Sequence, residues 1–181
     1  MKTDKYLKAA VKLQKMGRVG KAEKVYLRII EDELENHDAL QLQGLVLAAR
    51  GQNKEAAIYI EKAISLQPEI AVFHYNIAGI YLQTGRMQDA ESSFRKAIKL
   101  KPDYGEAYQG LSEMLKFETD DPLIDKIQAQ LNVDDVSESQ LSYMNFAAGK
   151  LFADTGDHQK HLNIIQKPIG LLIAASIPQR L

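Results

Sequence analysis

The side chains best suited to chemistry fall into a few small groups. His158 and His161 are three residues apart, a spacing at which two imidazoles can share a helix face and bind zinc. No third ligand lies near them in sequence, so they read as a solvent-exposed pair. Asp120–Asp121 and Asp134–Asp135 are acidic pairs. A hard-cation loop needs more oxygen ligands at tighter spacing, and helix capping and solvated loops account for these residues better. MGRVGK at residues 16–21 is the one basic stretch holding two glycines, but it lacks the GxxxxGK spacing of a phosphate cradle. It reads as a turn between helices. No serine stands in a nucleophile-elbow context. Cysteine is absent, which excludes disulfides, thiolate metal sites and cysteine nucleophiles. The expectation is a chain with no catalytic residue, no cofactor and no metal site.

The elements that would have to position such groups are read from composition and periodicity. The 181 residues are 45% apolar, enough to build a core. The 23 basic and 24 acidic residues leave a net charge of −1, which gives no reason to expect nucleic acid or an anionic membrane as partner. The opening MKTDKYLKAAVKLQKMGR has no continuous apolar core of a signal peptide. The late apolar run Ile169–Ile177 is about half a membrane span and contains Gly170 and Ser176. These features predict a soluble, cytoplasmic protein.

A repeat dominates the first two thirds. Gly17, Gly51 and Gly85 are spaced 34 residues apart. Ala22, Ala56 and Ala90 keep the same register, as do Tyr26, Ile60 and Phe94, then Ile29, Ala63 and Ala97. Upstream of each glycine, Ala10, Gly44 and Ala78 align too. Leu34, Pro68 and Pro102 align at the end of each unit, the first unit lacking the proline. Apolar residues recur at helical spacing on both sides of the glycine, so each unit predicts two amphipathic helices, A and B. Glycine suits the turn because it takes positive φ, and proline stops helix B. Small residues in the middle of each helix allow the pair to approach closely.

This spacing resembles the tetratricopeptide repeat, a helix–turn–helix unit of 34 residues. The resemblance implies an all-α fold, a right-handed superhelical solenoid of antiparallel helix pairs. The units are 3–36, 37–70 and 71–104, with helix A of a fourth unit at 105–118. His74 occupies a place that such units usually give to a large aromatic, and His37 sits at a unit junction.

Beyond Phe117 the pattern breaks into a divergent helical segment, 119–160. Asp120 and Asp121 before Pro122 mark a helix start, predicting a short helix from Leu123 to Leu131. Ser137 is placed to cap a further helix A in which Gly149, Phe152 and Gly156 keep repeat register. The stretches KFETDDPLI and FAAGKLFADTGD resemble the junction in tetratricopeptide proteins that carry a sulfotransferase-like domain after their repeats. That resemblance implies a parent enzyme whose catalytic domain would bind a nucleotide sulfate donor through a phosphate loop. No such loop occurs in these residues.

The tail 161–181 departs from the register. Alanine, an aromatic and alanine are expected at positions held by His161, Ile165 and Pro168. The neighbouring reading frame of HLNIIQKPIGLLIAASIP can spell AFKYYPKANRLIDSSFN, which restores all three. A frameshifted tail is one expectation, and a divergent C-terminal helix is the other.

In stacked repeats of this kind the second, fifth, ninth and twelfth residues of helix A line a groove. Here these are Asp4, Leu7, Val11 and Gln14; Asp38, Gln41, Leu45 and Ala48; Val72, Tyr75, Gly79 and Leu82; and Glu106, Gln109, Glu113 and Lys116. The basic residues with which some members of the family hold acidic tails are missing from the fifth and ninth positions. Asn76 resembles an asparagine that binds peptide backbone in some members. The expected peptide-binding residues are Leu7, Val11, Gln41, Leu45, Tyr75, Asn76, Leu82, Gln109 and Glu113. The expected partner is a peptide or helix of another protein, docked without chemistry. Packing against neighbouring helices is the competing role for these same side chains. Self-association through the exposed edge of the last repeat is a further expectation.

Overall fold

The computed structural model describes residues 2–118, 121–131, 133 and 136–156. The readings placed on Thr119, Asp120, Asp134, Asp135, His158, His161 and the tail 161–181 lie outside the described residues. The described secondary structure is all helical, and the chain forms two compact units, Met1–Leu100 and Lys101–Leu181.

The first unit holds three helix pairs: α1 (Lys2–Lys15) with α2 (Val19–Asp32), α3 (His37–Ala49) with α4 (Asn53–Leu66), and α5 (Ala71–Gln83) with α6 (Met87–Leu100). Each pair is antiparallel because a short turn joins its members. The turn glycines Gly17, Gly51 and Gly85 sit at φ of 75°, 78° and 76°, a left-handed conformation that other residues adopt only with strain. Within a pair, small residues set the approach. A Cβ on Gly44 would stand 2.5 Å from Ile60 Cγ1 and 3.1 Å from the Ala56 carbonyl oxygen, so only glycine fits without a shift. Ala22, Ala56 and Ala90, one per helix B, are fully buried.

Helix B ends the same way with or without proline. The C-cap residues Glu33 and Gln67 share φ of −137°, with ψ of 83° and 80°. Leu34 therefore takes the place of Pro68 in an unchanged exit. Adjacent pairs share apolar cores, one gathering Ala10, Ala22, Tyr26 and Val46, another Leu40, Ala63 and Phe73. Polar bonds also bridge them. Arg50 grips Glu23 with two bonds of 2.6 and 2.7 Å, and Arg86 reaches Glu61 at 3.1 Å. His74 Nε2 donates to the Pro68 carbonyl at 2.7 Å, which ties helix A to the preceding connection.

The second unit holds α7 (Gly105–Met114), α8 (Leu123–Gln130) and α9 (Glu138–Thr155). Asp121 Oδ1 accepts from the Leu123 N–H at 2.8 Å just ahead of α8, whose N-cap is Pro122, and the Ser137 hydroxyl caps α9 by accepting from the Gln140 N–H at 3.4 Å. Gly156 closes α9 at φ of 74°, the conformation of the three earlier turn glycines.

Two differences from the sequence pattern stand out. Helix A was expected over 105–118, yet α7 stops at Met114 and Leu115 is extended. The cause is long-range: the Phe117 N–H donates to Asp154 at 3.3 Å, and the Leu115 carbonyl accepts from Lys150 at 3.1 Å. Secondly, α7 packs chiefly on α9, and the two run parallel. The start of α7 meets the start of α9, where a Cβ on Gly105 would stand 2.5 Å from the Gln140 carbonyl oxygen and 2.9 Å from Tyr143 Cβ. The end of α7 meets Lys150 and Asp154. The offset of 35 residues at both Gly105–Gln140 and Leu115–Lys150 is close to one repeat, so α9 stacks as the next helix A.

Candidate peptide-binding face

Residues two, five, nine and twelve of helix A recur at spacings of three and four and so form one stripe. In the first unit this stripe runs along α1, α3 and α5, and α3 touches α5 directly. Leu7, Val11, Leu45, Tyr75, Asn76 and Leu82 are all half-buried. Leu7 also packs against the first core cluster, so part of its surface is structural. Gln41 is only 7% exposed. Tyr75 is braced from behind by Phe94, ring centroids 5.9 Å apart. Gln14 accepts a 2.7 Å bond from the buried Tyr26 hydroxyl and is occupied in holding the first pair.

The electrostatics of this stripe are one-sided. No residue at its four positions in the first unit is basic, while Asp4 and Asp38 are exposed at the second position. Asp4 is paired with Lys8 at 3.0 Å. Asp38 lies 3.3 Å from His37 Nδ1, and the His37 ring packs on Phe73.

In the second unit, Gln109 donates to Glu113 at 2.6 Å, one helical turn apart, so the two expected groove residues bind each other. The side chains missed by the sequence reading are on α9. Counting back from Gly156 as the turn glycine puts Tyr143 and Phe146 at the second and fifth positions, 37% and 51% exposed. That count was available in the sequence.

The junction has its own geometry. Lys150 holds both Asp154, at 2.9 Å, and the Leu115 carbonyl. The Lys150 bond holds the Asp154 carboxyl below its usual range, with the Phe117 N–H adding to it against some burial. These are letters of the two junction stretches, KF and GK-x-x-x-D, drawn together in space. Among the described residues, no group of three or more histidine, aspartate or glutamate side chains could hold a metal ion.

Helix pairs of this geometry, closed by left-handed glycines and stacked in a 34-residue register, define a helical repeat protein. Two family models, both described as tetratricopeptide repeat, match residues 7–69 and 71–104 and together take in more than half of the chain. The chain belongs to the tetratricopeptide repeat family. Among curated proteins it is similar to human DnaJ homolog subfamily C member 3, 24% identical over 113 residues; the match covers 62% of this chain and 22% of that protein, so this chain spans a small part of that relative's length. Among solved structures it resembles a mutant O-GlcNAc transferase of Thermobaculum terrenum, with TM-score 0.61 and 27% identity over 72% of this chain and 25% of that one. It also shares its fold with the Yersinia enterocolitica type III secretion chaperone SycD in complex with a peptide of the translocator YopD, with TM-score 0.56 and 23% identity over 62% and 88% of the two chains.

Proposed function

We propose that this chain is a non-catalytic scaffold that docks a peptide or short helix of another protein on its helix-A face. Units 3–36, 37–70 and 71–104 supply Leu7, Val11, Gln41, Leu45, Tyr75, Asn76 and Leu82. The second unit has a face of its own, on which Gln109 and Glu113 serve on the helix A that begins at Gly105, with Tyr143 and Phe146 on α9. The observation that carries this reading is the stripe of half-buried apolar side chains kept in register on three successive helices. A side chain in that state has surface left to bury against a partner, and a helix or extended peptide buries it at repeat spacing. The peptide-bound SycD structure supports the choice of partner by analogy of fold. The test is selection of binders from a displayed peptide library, followed by affinity measurement on Leu45→Asp and Tyr75→Asp. Loss of binding with unchanged helicity is expected. Peptides that bind both variants as well as the parent chain would refute the proposal.

We also propose that the protein acts in the cytoplasm. No helix among the described residues is long and apolar enough to cross a membrane. Self-association through the last repeat edge is part of the proposal, and light scattering across a dilution series tests it.

A second reading is favoured by the junction, where Lys150 and Asp154 pin Leu115 and Phe117. In that reading the repeats belong to a sulfotransferase-like parent, and the scaffold serves its enzyme. Resequencing the gene from the codon for Gly156 onward separates the two. An open neighbouring frame that leads into a phosphate-loop domain supports the enzyme parent. In either case this chain alone should show no calorimetric binding of a nucleotide sulfate donor.

A further inference from the structure

Two glycines lie in the interiors of helices A of the first unit, and they have different causes. Gly44 is compelled by crowding, since Ile60 and the Ala56 carbonyl fill the space of its missing Cβ. Gly79 is not. Among the described residues, and apart from its chain neighbours and the nearby backbone of its own helix, no atom lies within 4 Å of where its Cβ would stand, and its φ is not in the left-handed region. Glycine weakens a helix interior, and here neither packing nor backbone conformation requires it.

Its place on the stripe supplies a reason. Gly79 holds the ninth position, which Val11 and Leu45 hold in the two preceding helices. Tyr75 lies one turn before it and Leu82 one turn after. Leu45 comes from α3, which touches α5. The row of ninth-position side chains therefore breaks at Gly79, which is half-buried with Tyr75 and Leu82 on either side of it along the helix. Tyr75 cannot easily fall into that break, because its ring is braced on the buried Phe94.

We propose that Gly79 forms a socket that selects one large uncharged side chain of the docked segment, of the leucine, methionine or phenylalanine class. The proposal rests on the peptide-docking reading above and names the chemistry of its ligand. The segment also carries a lysine or arginine beside the anchor. The exposed carboxylates of the stripe lie at the second position, and Asp38 is the one without a lysine partner. Asp38 stands near the start of α3 and Gly79 past the middle of the neighbouring α5, so the basic residue belongs on the flank of the segment that lies toward the helix starts. The fifth, ninth and twelfth positions carry no charge in this unit.

The experiment is selection of a displayed random heptapeptide library on the full chain. Enriched peptides are then made with a fluorescent label and titrated against Gly79→Ala, Gly79→Leu, Leu45→Asp and a control, Gly20→Leu. Gly20 likewise has nothing within 4 Å of its Cβ position but lies in the first turn of α2, off the stripe. The expected peptides share one large apolar residue with a basic residue nearby. Gly79→Ala should raise the melting temperature yet weaken binding about tenfold, as a misplaced methyl group does in a fitted pocket. Gly79→Leu should abolish binding, and Gly20→Leu should leave it unchanged. Should Gly79→Leu fail to fold, Gly79→Ala decides. Peptides that are lost with Leu45→Asp but bind the Gly79 variants normally would overturn the socket and leave the docking reading standing. Peptides enriched without a common apolar residue would also overturn it. A library that yields no peptide sensitive to Leu45→Asp would overturn the docking reading, and the socket with it.

Discussion

The two units solve the same stacking problem with different contacts. In Met1–Leu100, each helix A is closed by an antiparallel helix B, and small residues at the crossing let them meet. In Lys101–Leu181, α8 has eight residues, and α7 instead packs on the following helix A. The crossing glycine moves accordingly, from Gly44 in mid-helix to Gly105 at a helix start. Helix B is thus the dispensable half of the repeat, provided that side chains replace its bonds. Lys150, Asp154 and Gln140 do so in the second unit by capturing backbone groups of residues 105, 115 and 117.

The largest effects should come from filling the two kinds of crossing. Ala90→Leu puts three extra heavy atoms at a fully buried A–B contact and should cost roughly 1–3 kcal/mol. Gly105→Ala drives a methyl into the Gln140 carbonyl and should cost a similar roughly 1–3 kcal/mol. Urea unfolding gives the totals, and hydrogen exchange shows where each falls. Ala90→Leu should loosen residues within 1–100, and Gly105→Ala residues within 101–156. The reverse pattern would break the comparison.

Next comes the polar replacement itself. Asp154→Ala leaves the Phe117 N–H without its acceptor and should cost about 1–2 kcal/mol, with faster amide exchange confined to residues 115–118. Because the folded pKa of Asp154 is lowered, its contribution is complete above the unfolded value and fades as pH falls below about 4. Protection of residues 115–118 followed through an acid titration checks that sign.

Two buried tyrosines sharpen the contrast. Both are pushed up to about 12, first by burial; for Tyr81 the Glu61 bond adds to it, and for Tyr108 the charge of Asp103. Tyr81 donates to Glu61 at 2.8 Å, whereas the Tyr108 hydroxyl is buried without a partner among the described residues. Tyr81→Phe should therefore cost about 1 kcal/mol, and Tyr108→Phe should be neutral or stabilising. With folded pKa values raised, the neutral tyrosines stabilise fully below the ordinary value near 10, and stability is lost as pH climbs toward 12. Each substitution should blunt that alkaline loss.

The smallest change concerns the open glycine. Gly79→Ala should add about 0.5–1 kcal/mol by helix propensity alone. Gly44→Ala, at the neighbouring position of the preceding unit, should destabilise instead. Paired thermal melts of the two variants give opposite signs if the crowding argument is right.

These cases show which features could be read in the sequence. The turn glycines, the helix start at Asp121 and the cap at Ser137 were legible because each acts on residues a few places away, and the crossing alanines because they recur at the repeat period. The early end of α7 was not. Leu115 fits the helical pattern, and what stops the helix is a carboxylate 37 residues downstream of Phe117. The seating of α9 as a further helix A was legible from its repeat register, whereas its direct packing on α7 was not. On the candidate face, the stripe of positions was readable from the register. The self-pairing of Gln109 with Glu113 was not, since both side chains had other directions open to them.

The long bonds of the second unit also bear on the order in which the chain acquires structure. Its anchoring contacts join residues 35 and 37 apart, while the first unit closes each pair across a short glycine turn. Closing a longer loop costs chain entropy before any contact repays it. The first three pairs can therefore zip up locally as they leave the ribosome. Helix α7 emerges without its mate and must wait until α9 has been synthesised. During that interval its apolar side is uncovered, which makes residues 105–118 the stretch most in need of a chaperone at birth.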